Sequence, residues 1–212
     1  MMRPKIIIGA GGHASVLISV LKTLNINILG IVDVEFNKIG KKQKDIPVLG
    51  NDDKIMSYLP DDIELVNGIG SISSTEKRKD VYVKFKKDGY SFASVVHPSA
   101  IIMNDVQLGE GVQIMAGAIV QTGCVIGNNS IINTGAIVDH DCIIGEHVHI
   151  APGVVLSGGI NIGDMTHIGA AATIIQGIEI GQRVVVGAGA VVIADIPSGV
   201  KALGVPAKIT ER

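Results

Sequence analysis

The sequence predicts a two-part fold, in which a small α/β domain over residues 1–95 precedes an all-β parallel β-helix over residues 96–212. In the first part, short apolar strands alternate with segments of helical periodicity. In the second part, Ile, Leu or Val recurs every six residues from Ile102 to Val192 without an insertion. The proline in the stretch VVHPSA separates the two patterns, because proline interrupts the element that precedes it.

The elements of the first part follow from its apolar pattern. They are a strand at 5–8, a helix at 13–24, strands at 27–32 and 64–69, and a charged helix at 74–87. Asp52, which follows the stretch IPVLG, is predicted to cap a short helix that ends near Leu59. Strands that alternate with helices in this way predict a Rossmann-like βαβ domain with a parallel sheet.

The stretch KIIIGAGGHASVL raises the question of a dinucleotide cofactor. Gly9, Gly11 and Ala14 fit a G-x-G-x-x-G/A turn, and Asp33 lies about where a ribose-binding acid belongs. A complete dinucleotide fold needs two mononucleotide halves, and only one half fits before the β-helix. The turn can still bind a phosphate at a helix N-terminus, which favours a sugar nucleotide over NAD. A tight turn without a ligand stays open as the alternative.

The six-residue repeat is regular over sixteen consecutive positions. Its aliphatic residues are Ile102, Leu108, Ile114, Val120, Ile126, Ile132, Val138, Ile144, Ile150, Leu156, Ile162, Ile168, Ile174, Ile180, Val186 and Val192. A small or apolar residue stands two positions before each of them, and glycine follows several. This pattern is typical of a hexapeptide β-helix, in which three hexads form one triangular coil and the repeated aliphatic side chain points inward.

The coil length also predicts which residues stack on adjacent coils. Cys124 and Cys142 are 18 residues apart, so both are expected inside the β-helix. Two buried reduced thiols are the favoured interpretation, and a disulfide stays geometrically open. His149 and His167 are expected to stack in the same way, whereas His147 is expected to be exposed.

Composition excludes several classes of function. The net charge of −2, the 3% aromatic content and the absence of Trp argue against nucleic-acid binding. No charged residue occurs between Glu110 and Asp139, but the Gln and Asn residues of that stretch would be costly in a bilayer. We therefore expect no membrane insertion. Two cysteines and no secretory signal predict a cytoplasmic location.

The candidate chemistry lies in the stretch DHDC. It places His140 between Asp139 and Asp141, and Gly158 follows one coil later. An imidazole is the usual general base, a carboxylate can orient it, and a backbone N–H can stabilise a developing oxyanion. Spacing alone leaves open which of the two carboxylates orients the ring. It also leaves open whether the cluster is catalytic or part of an ordinary solvated wall.

Metal binding is the rival use of histidines on a β-helix. Trimeric hexapeptide-repeat carbonic anhydrases bind zinc through three histidines drawn from two subunits. His147 and His149 are only two residues apart and do not match the wider ligand spacing of that family. No metal is therefore expected.

Four stretches, GAGGHA, VVHPSA, IINTGAIVDHDC and GVPAK, together resemble a known family. They are similar to stretches of bacterial sugar acyltransferases of the sialic-acid O-acetyltransferase type. That family includes N-acetyltransferases that act on nucleotide-linked amino sugars of the bacillosamine and perosamine kind. The resemblance covers essentially the whole chain. It implies a homotrimer, an N-terminal nucleotide-binding domain, a left-handed β-helix and acetyl-CoA as the acyl donor.

The resemblance also implies roles for individual residues. His140 corresponds to the catalytic base and Asp141 to its adjacent acid, which is often Glu in relatives. The acyl-donor contacts correspond to His149, Gly158, Ala170 and Ala188, with Gly158 supplying the backbone amide near the thioester. The sugar-nucleotide contacts correspond to Gly11, Gly12, His13, Asp33, Gly70 and Asn133. Val34 and Ser71 depart from residues found in some relatives, so the nucleotide stays undefined among UDP, GDP and dTDP.

The sequence therefore predicts an acetyl-CoA-dependent N-acetyltransferase that acts on a nucleotide-linked 4-amino-4,6-dideoxy sugar by direct transfer. O-acetylation of sialic acid or a related sugar is the alternative reaction. A non-catalytic protein that binds a sugar nucleotide is the alternative from another class. The presence of a histidine beside an acid favours an enzyme over that alternative.

Overall fold

The computed structural model describes residues 3–35, 38–71 and 74–210. By its internal contacts the chain forms two compact units. The first comprises Met1–Gly70 and Asp80–Val95, and the second comprises Ser71–Lys79 and Val96–Arg212. The segment Ser71–Lys79 therefore belongs to the β-helical unit, although it lies within the first 95 residues of the sequence. The assignment of separate functions to residues 1–95 and 96–212 stays a prediction.

The first unit contains a five-stranded sheet, whose strand order is β3-β4-β2-β1-β5. Its elements are β1 Lys5–Ile8, α1 Gly12–Thr23, β2 Ile28–Val32, β3 Lys42–Gln43, β4 Ile46–Gly50, β5 Glu64–Asn67 and α2 Glu76–Lys87. The first turn of α2, up to Lys79, is assigned to the second unit. Strand β1 pairs in parallel with both β2 and β5, which confirms the predicted α/β class. Ile6, Ile8 and Leu65 are fully buried and pack in the core of this unit.

Two details of the first unit differ from the prediction. The segment expected to be a helix is a 3₁₀ turn over Asp52–Ser57, and Asn51 precedes it without a side-chain capping bond. Strand β3 was not predicted, and it forms an antiparallel hairpin with β4. Lys44 and Asp45 form the hairpin turn with φ of 49° and 68°. Such two-residue turns usually carry Asn-Gly, so the Lys-Asp pair did not indicate a hairpin.

The second unit is a parallel β-helix, and each of its sixteen two-residue strands ends at one of the predicted aliphatic positions. These strands are β7 Ile101–Ile102, β8 Gln107–Leu108, β9 Gln113–Ile114, β10 Ile119–Val120, β11 Val125–Ile126, β12 Ile131–Ile132, β13 Ile137–Val138, β14 Ile143–Ile144, β15 His149–Ile150, β16 Val155–Leu156, β17 Asn161–Ile162, β18 His167–Ile168, β19 Thr173–Ile174, β20 Glu179–Ile180, β21 Val185–Val186 and β22 Val191–Val192. The short strands β6 Val95–Val96, β23 Lys201–Leu203 and β24 Lys208–Thr210 complete the unit.

The strands form three sheets, which we name faces. The first face holds β7, β10, β13, β16, β19 and β22, and the second holds β8, β11, β14, β17 and β20. The third face holds β9, β12, β15, β18 and β21, with β6 at one edge and β23 and β24 at the other. We name the turns in chain order: the first corner joins the first face to the second, the second corner joins the second to the third, and the third corner leads back to the first.

The strand register confirms the predicted coil length and the predicted β-helical class. Each strand pairs in parallel with the strand one coil away, as in Ile119 with Ile137 and Ile131 with His149. The repeated aliphatic residues from Ile114 onward are buried, as predicted. Of the two earlier positions, Ile102 is half-buried and Leu108 is 38% exposed, because β7 and β8 are the edge strands of the first and second faces.

The two cysteines lie inside the β-helix, as predicted. Cys124 and Cys142 are both free and fully buried. Burial raises the pKa of the Cys142 thiol to about 11, which keeps it protonated and unreactive near neutral pH. Within the described residues, no helix is long and apolar enough to cross a membrane.

Candidate active site

His140 lies in the first corner, directly after β13, with its side chain half exposed. Its Nδ1 lies 2.9 Å from Asp141 Oδ2. The other neighbouring carboxylate has a different role, because Asp139 Oδ1 accepts the backbone N–H of His140 at 2.8 Å. Asp141 is therefore the acid in contact with the ring, which the sequence left undecided.

This pairing fixes which nitrogen of His140 carries the proton in the neutral ring. A carboxylate only accepts hydrogen bonds, so the hydrogen lies on Nδ1 and the lone pair lies on Nε2. The hydrogen bond from the ring to Asp141 raises the pKa of His140, and the charge of Asp139 acts in the same direction against partial desolvation. An imidazole with a free Nε2 lone pair and a supporting carboxylate can accept a proton from a substrate.

Gly158 lies one coil after His140 in the chain, and the imidazole packs directly against it. A Cβ atom at Gly158 would lie 2.5 Å from His140 Cε1 and closer still to Nε2. Real Cβ atoms essentially never approach a neighbour so closely, so only glycine leaves room for this ring position. The N–H of Gly158 donates to no other group among the described residues. A backbone N–H in this position beside Nε2 is able to donate to an oxyanion, and the predicted role of Gly158 in catalysis stays a prediction.

His149 and His167 lie on a different part of the β-helix, on neighbouring strands of the third face. They pair in register on β15 and β18, and their ring centroids are 5.0 Å apart with the rings nearly perpendicular. Ser71 Oγ lies 2.6 Å from Nδ1 of His149 and 3.1 Å from Nδ1 of His167. One chain therefore brings together His140, Asp141 and Gly158, but not His140 and His149.

The hydrogen bonds of this histidine pair define its protonation. Asn133 Oδ1 accepts the N–H of Thr134, so its Nδ2 is the donor to His149 Nε2 at 3.0 Å. His149 Nδ1 then carries the hydrogen and donates it to Ser71 Oγ, and the Ser71 hydroxyl donates to His167 Nδ1. Both nitrogens of His149 are thus engaged, which favours a binding role over proton transfer. Burial lowers the pKa of His167, in keeping with a neutral ring.

The prediction that His147 is exposed was wrong. His147 is only 6% exposed, because Asn129 Nδ2 contacts its Nδ1 at 2.9 Å and the segment Ser71–Lys79 packs along the second corner. In that segment Arg78 Nε donates to Asn129 O at 2.9 Å, and Thr75 Oγ1 donates to Met165 O at 3.1 Å. Burial, with the charges of Arg78 and Lys79, lowers the pKa of His147 to about 4.

Ala170 and Ala188 lie one coil apart in the third corner, and both are exposed. The neighbouring residues of this corner are glycine and alanine, so the corner presents little more than backbone to solvent. The N–H groups of Ala170 and Ala188 donate to no acceptor within the described parts of the chain. They can therefore donate to a ligand that lies along this corner.

In the first unit, Asp33 supports the glycine turn that follows β1. Its Oδ2 accepts the N–H of Ala10 at 2.6 Å, its Oδ1 accepts the N–H of Glu35 at 2.8 Å, and Lys38 Nζ lies 3.3 Å from Oδ2. Burial alone would raise the pKa of Asp33, but these hydrogen bonds outweigh it and hold the pKa below its usual value. The carboxylate thus remains ionised at the end of β2, beside the turn.

The other predicted residues of the first unit surround the same turn. Gly11 and Gly12 are exposed at the start of α1, where helix N–H groups point outward. A Cβ atom at Gly70 would lie 3.2 Å from His13 Cβ, so these two residues are close neighbours. No group of three or more His, Cys, Asp or Glu side chains among the described residues is arranged to hold a metal ion.

Comparisons with known proteins identify both parts of the chain. The PglD N-terminal domain matches residues 6–85, and the bacterial transferase hexapeptide (six repeats) matches residues 105–138 and 123–158. No curated protein matches the sequence. A perosamine N-acetyltransferase from Caulobacter crescentus, in a complex with CoA and GDP-perosamine, is 36% identical. That match covers 100% of this chain and 99% of the other, with a TM-score of 0.92.

The chain belongs to this family of bacterial sugar acetyltransferases. A second member, the acetyltransferase domain of PglB from Neisseria gonorrhoeae FA1090, is 33% identical over 99% of this chain and 100% of that chain, with a TM-score of 0.91. WeeI from Acinetobacter baumannii AYE is similar at 26% identity, with a TM-score of 0.88 and coverage of 99% and 100%. The PglB domain also has a structure in complex with acetyl coenzyme A. Hexapeptide-repeat acetyltransferases of this family therefore share both parts of the chain.

Proposed function

We propose that the protein is an acetyl-CoA-dependent N-acetyltransferase, whose acceptor is the 4-amino group of a nucleotide-linked 4-amino-4,6-dideoxy sugar. The observation that carries this proposal is the cluster of His140, Asp141 and Gly158, which offers a free Nε2 lone pair beside a free backbone N–H. The complex of the Caulobacter relative with CoA and GDP-perosamine supports the choice of donor and acceptor class. The acetyl coenzyme A complex of the PglB domain supports the same donor.

The proposed reaction is a direct transfer without an acyl-enzyme. The amine nitrogen of the sugar attacks the thioester carbon, and His140 Nε2 accepts a proton from that nitrogen. The Gly158 N–H stabilises the tetrahedral oxyanion, and Asp141 supports the imidazolium that forms. The C–S bond then breaks, the CoA thiolate leaves, and it takes the proton from His140. Cys124 and Cys142 are buried, which argues against a covalent cysteine intermediate.

The remaining residues are proposed to hold the two substrates. The exposed backbone at Ala170 and Ala188 is suited to hydrogen bonds with the pantetheine arm of acetyl-CoA, and His149 with Asn133 would contact the reacting groups. In the first unit, Gly11, Gly12, His13 and Gly70 would surround the nucleotide and its diphosphate. Helix N-terminal N–H groups and a glycine turn are well suited to bind phosphate.

A homotrimer is proposed because a site that uses both His140 and His149 needs more than one chain. The first face also has an apolar outer surface, since the outward residue of each strand is apolar or threonine. These residues are Ile101, Ile119, Ile137, Val155, Thr173 and Val191. The second face instead presents Gln107, Asn161 and Glu179 with Val125 and Ile143. Threefold contact through the first face would cover the apolar row.

We expect light scattering to give a trimer at micromolar concentration, and Ile137→Glu to lower the oligomer mass. Ile137 lies in the middle of the apolar row, so a carboxylate there would be buried without a partner in the interface. Ile143→Glu is the matched control, because Ile143 is 51% exposed on the adjacent strand of the second face. A monomeric wild-type protein, or equal effects of the two variants, would contradict the shared-site proposal.

Asp33→Ala is expected to raise the KM for the sugar nucleotide about tenfold, while the KM for acetyl-CoA stays nearly unchanged. The substitution removes the acceptor that holds the Ala10 N–H and Lys38 beside the glycine turn, and hydrogen bonds to charged groups contribute about 1.5–3 kcal/mol each. Steady-state kinetics with each substrate varied in turn measures this split. Asp53→Ala, at an exposed site in the same unit, serves as the control. Equal changes in both KM values would mean that Asp33 only supports the fold.

The proposed function is tested by incubating the protein with acetyl-CoA and a panel of nucleotide-linked amino sugars, beginning with GDP-perosamine. We expect release of CoA and a product heavier by one acetyl group on nitrogen. Mass spectrometry of the product, before and after mild alkaline hydrolysis of esters, separates N- from O-acetylation. Binding of a sugar nucleotide without CoA release from any panel member would favour the non-catalytic alternative.

A further inference from the structure

The first corner repeats one left-handed backbone position in four successive coils, and Asp141 is the residue among those four that is not glycine. Gly123, Asp141, Gly159 and Gly177 follow one another at intervals of one coil, with φ of 73°, 59°, 67° and 73°. Positive φ is unfavourable for residues with a Cβ atom, although Asp tolerates it better than most. Asp141 therefore stands where the neighbouring coils use glycine, and this backbone conformation aims its carboxylate along the corner toward His140.

The space for that carboxylate is provided by the coil below. A Cβ atom at Gly123 would lie 3.3 Å from Asp141 Cγ, and closer to Asp141 Oδ1 than real Cβ atoms approach any neighbour. Gly177 has the same φ of 73°, but a Cβ atom there would have nothing within 4 Å. The two glycines thus share one backbone requirement, and they differ in whether a side chain would meet Asp141.

Gly123 is also held so that it cannot move away. Asp105 Oδ2 accepts both the Thr122 hydroxyl at 2.6 Å and the Gly123 N–H at 3.0 Å. These hydrogen bonds lower the pKa of Asp105, so the carboxylate that anchors the turn stays ionised. From the other side, the Asp141 N–H donates to Thr122 O at 3.0 Å. Both backbones are fixed, so an added methyl group would displace the Asp141 carboxylate instead.

We propose that Gly123 is a positioning residue for the proposed general base, because its missing side chain lets the Asp141 carboxylate lie against His140 Nδ1. Asp105 and Thr122 serve the same purpose by holding Gly123 in place. The inference rests on the proposed function, since Gly123 can influence catalysis in this way only if His140 accepts the proton. The Asp141 side chain is 70% exposed, so a displaced carboxylate can turn into solvent without disturbing the core.

The expected signature is a change in the pH profile. The titratable groups that face His140 are Asp139 and Asp141, and contact with Asp141 is the main reason that the pKa of His140 is raised. Loss of that contact lowers the pKa of His140, so the base stays deprotonated to a lower pH. The acid limb of kcat therefore moves to lower pH, while the plateau falls because the ring is no longer oriented. A purely structural role for Gly123 would lower stability without moving the limb.

The experiment compares Gly123→Ala with Gly177→Ala, using acetyl-CoA and GDP-perosamine, or whichever panel acceptor gives CoA release. Both variants carry the same unfavourable φ, so both are expected to lose similar thermal stability. Only Gly123→Ala is expected to lower kcat, by about ten- to a hundredfold, and to shift the acid limb to lower pH. Because the acceptor amine titrates identically in every variant, a difference between the two profiles reports on the enzyme. Combining Gly123→Ala with Asp141→Asn is expected to cost no more than Asp141→Asn alone.

Equal kcat values and equal acid limbs for the two glycine variants would overturn the inference, as would additive effects in the double variant. If Gly123→Ala does not fold, Thr122→Val offers a second test, because it removes the hydroxyl that donates to Asp105 and adds nothing at position 123. It is expected to move kcat and the acid limb in the same direction by a smaller amount, and an unchanged profile would count against the proposal. Failure of the proposed function is distinguishable, since it would appear as no CoA release from any panel acceptor with the wild-type protein. Failure of the base assignment alone would appear as full activity in a His140→Ala variant.

Discussion

His140→Ala is expected to lower kcat by about 10²–10⁴-fold, the usual contribution of a positioned general base. Both substrates should still bind, because the ring lies half exposed at the first corner and, among the described residues, only the Asp141 side chain hydrogen bonds to it. Steady-state kinetics with both substrates saturating measures the loss, and light scattering verifies the oligomer. His97→Ala is the control for replacing a histidine elsewhere in the same unit. Near-wild-type kcat in a folded His140→Ala protein would contradict the assignment of the base.

The pH dependence of the wild-type enzyme gives a second view of the same residue. A protonated imidazole cannot accept a proton, so kcat should fall as the pH drops through the pKa of His140. Because Asp141 raises that pKa, the limb should lie above the ordinary range of an isolated histidine. Asp141→Asn removes the negative charge, so it should move the limb to lower pH and reduce kcat less than His140→Ala does. An unmoved limb in Asp141→Asn would mean that another group controls the rate.

Gly158→Ala is expected to lower kcat nearly as much as removal of the base, although the backbone N–H of residue 158 remains. The added methyl group would occupy the present position of the imidazole, since it would lie 2.5 Å from His140 Cε1. The ring can rotate into solvent, so the fold should survive while Nε2 is lost from the site. A displacement of the order of 1 Å at a reacting atom can cost about a hundredfold in rate.

A double-mutant cycle distinguishes this steric effect from damage to the oxyanion site. If Gly158→Ala acts by moving the ring, it should cost little more once His140 has been replaced by Ala. The kcat of the double variant should then equal that of His140→Ala. Fully additive losses would instead place the effect of the methyl group on the N–H of residue 158 or on substrate binding.

The β-helix was the most predictable part of the molecule, because the same six-residue pattern recurs at sixteen consecutive positions. An inward aliphatic every six residues fixes the coil, and 18-residue spacing then correctly placed Cys124 beside Cys142 and Gly158 beside His140. The hairpin of β3 and β4 was not predicted, because its turn is formed by Lys44 and Asp45 and lacks the glycine that usually marks a two-residue hairpin turn.

The errors at the candidate site arose from contacts between residues distant in sequence. His147 was expected to be exposed because the repeat describes only the β-helix itself, whereas the residues that bury it include a segment some 70 positions earlier. Asp139 and Asp141 were not distinguished because the decision depends on a left-handed turn at Asp141, which the sequence indicates only through the glycines at the same position of the neighbouring coils. Ser71 was noticed only as a departure from relatives, although it hydrogen bonds to both histidines of the third face.

The segment Ser71–Lys79 has a consequence for anyone who recombines modules from this family. An exchange of N-terminal parts at Val96 would follow the change of pattern in the sequence. It would also replace Ser71–Lys79, a segment that packs with the β-helix, by the corresponding residues of the other protein. The donor's residue at position 71 would then meet His149 and His167, and its residue at position 78 would meet Asn129. A chimera that keeps the native β-helical unit intact must therefore retain this internal segment, which adds two crossover points, one on each side of it, to the one at Val96.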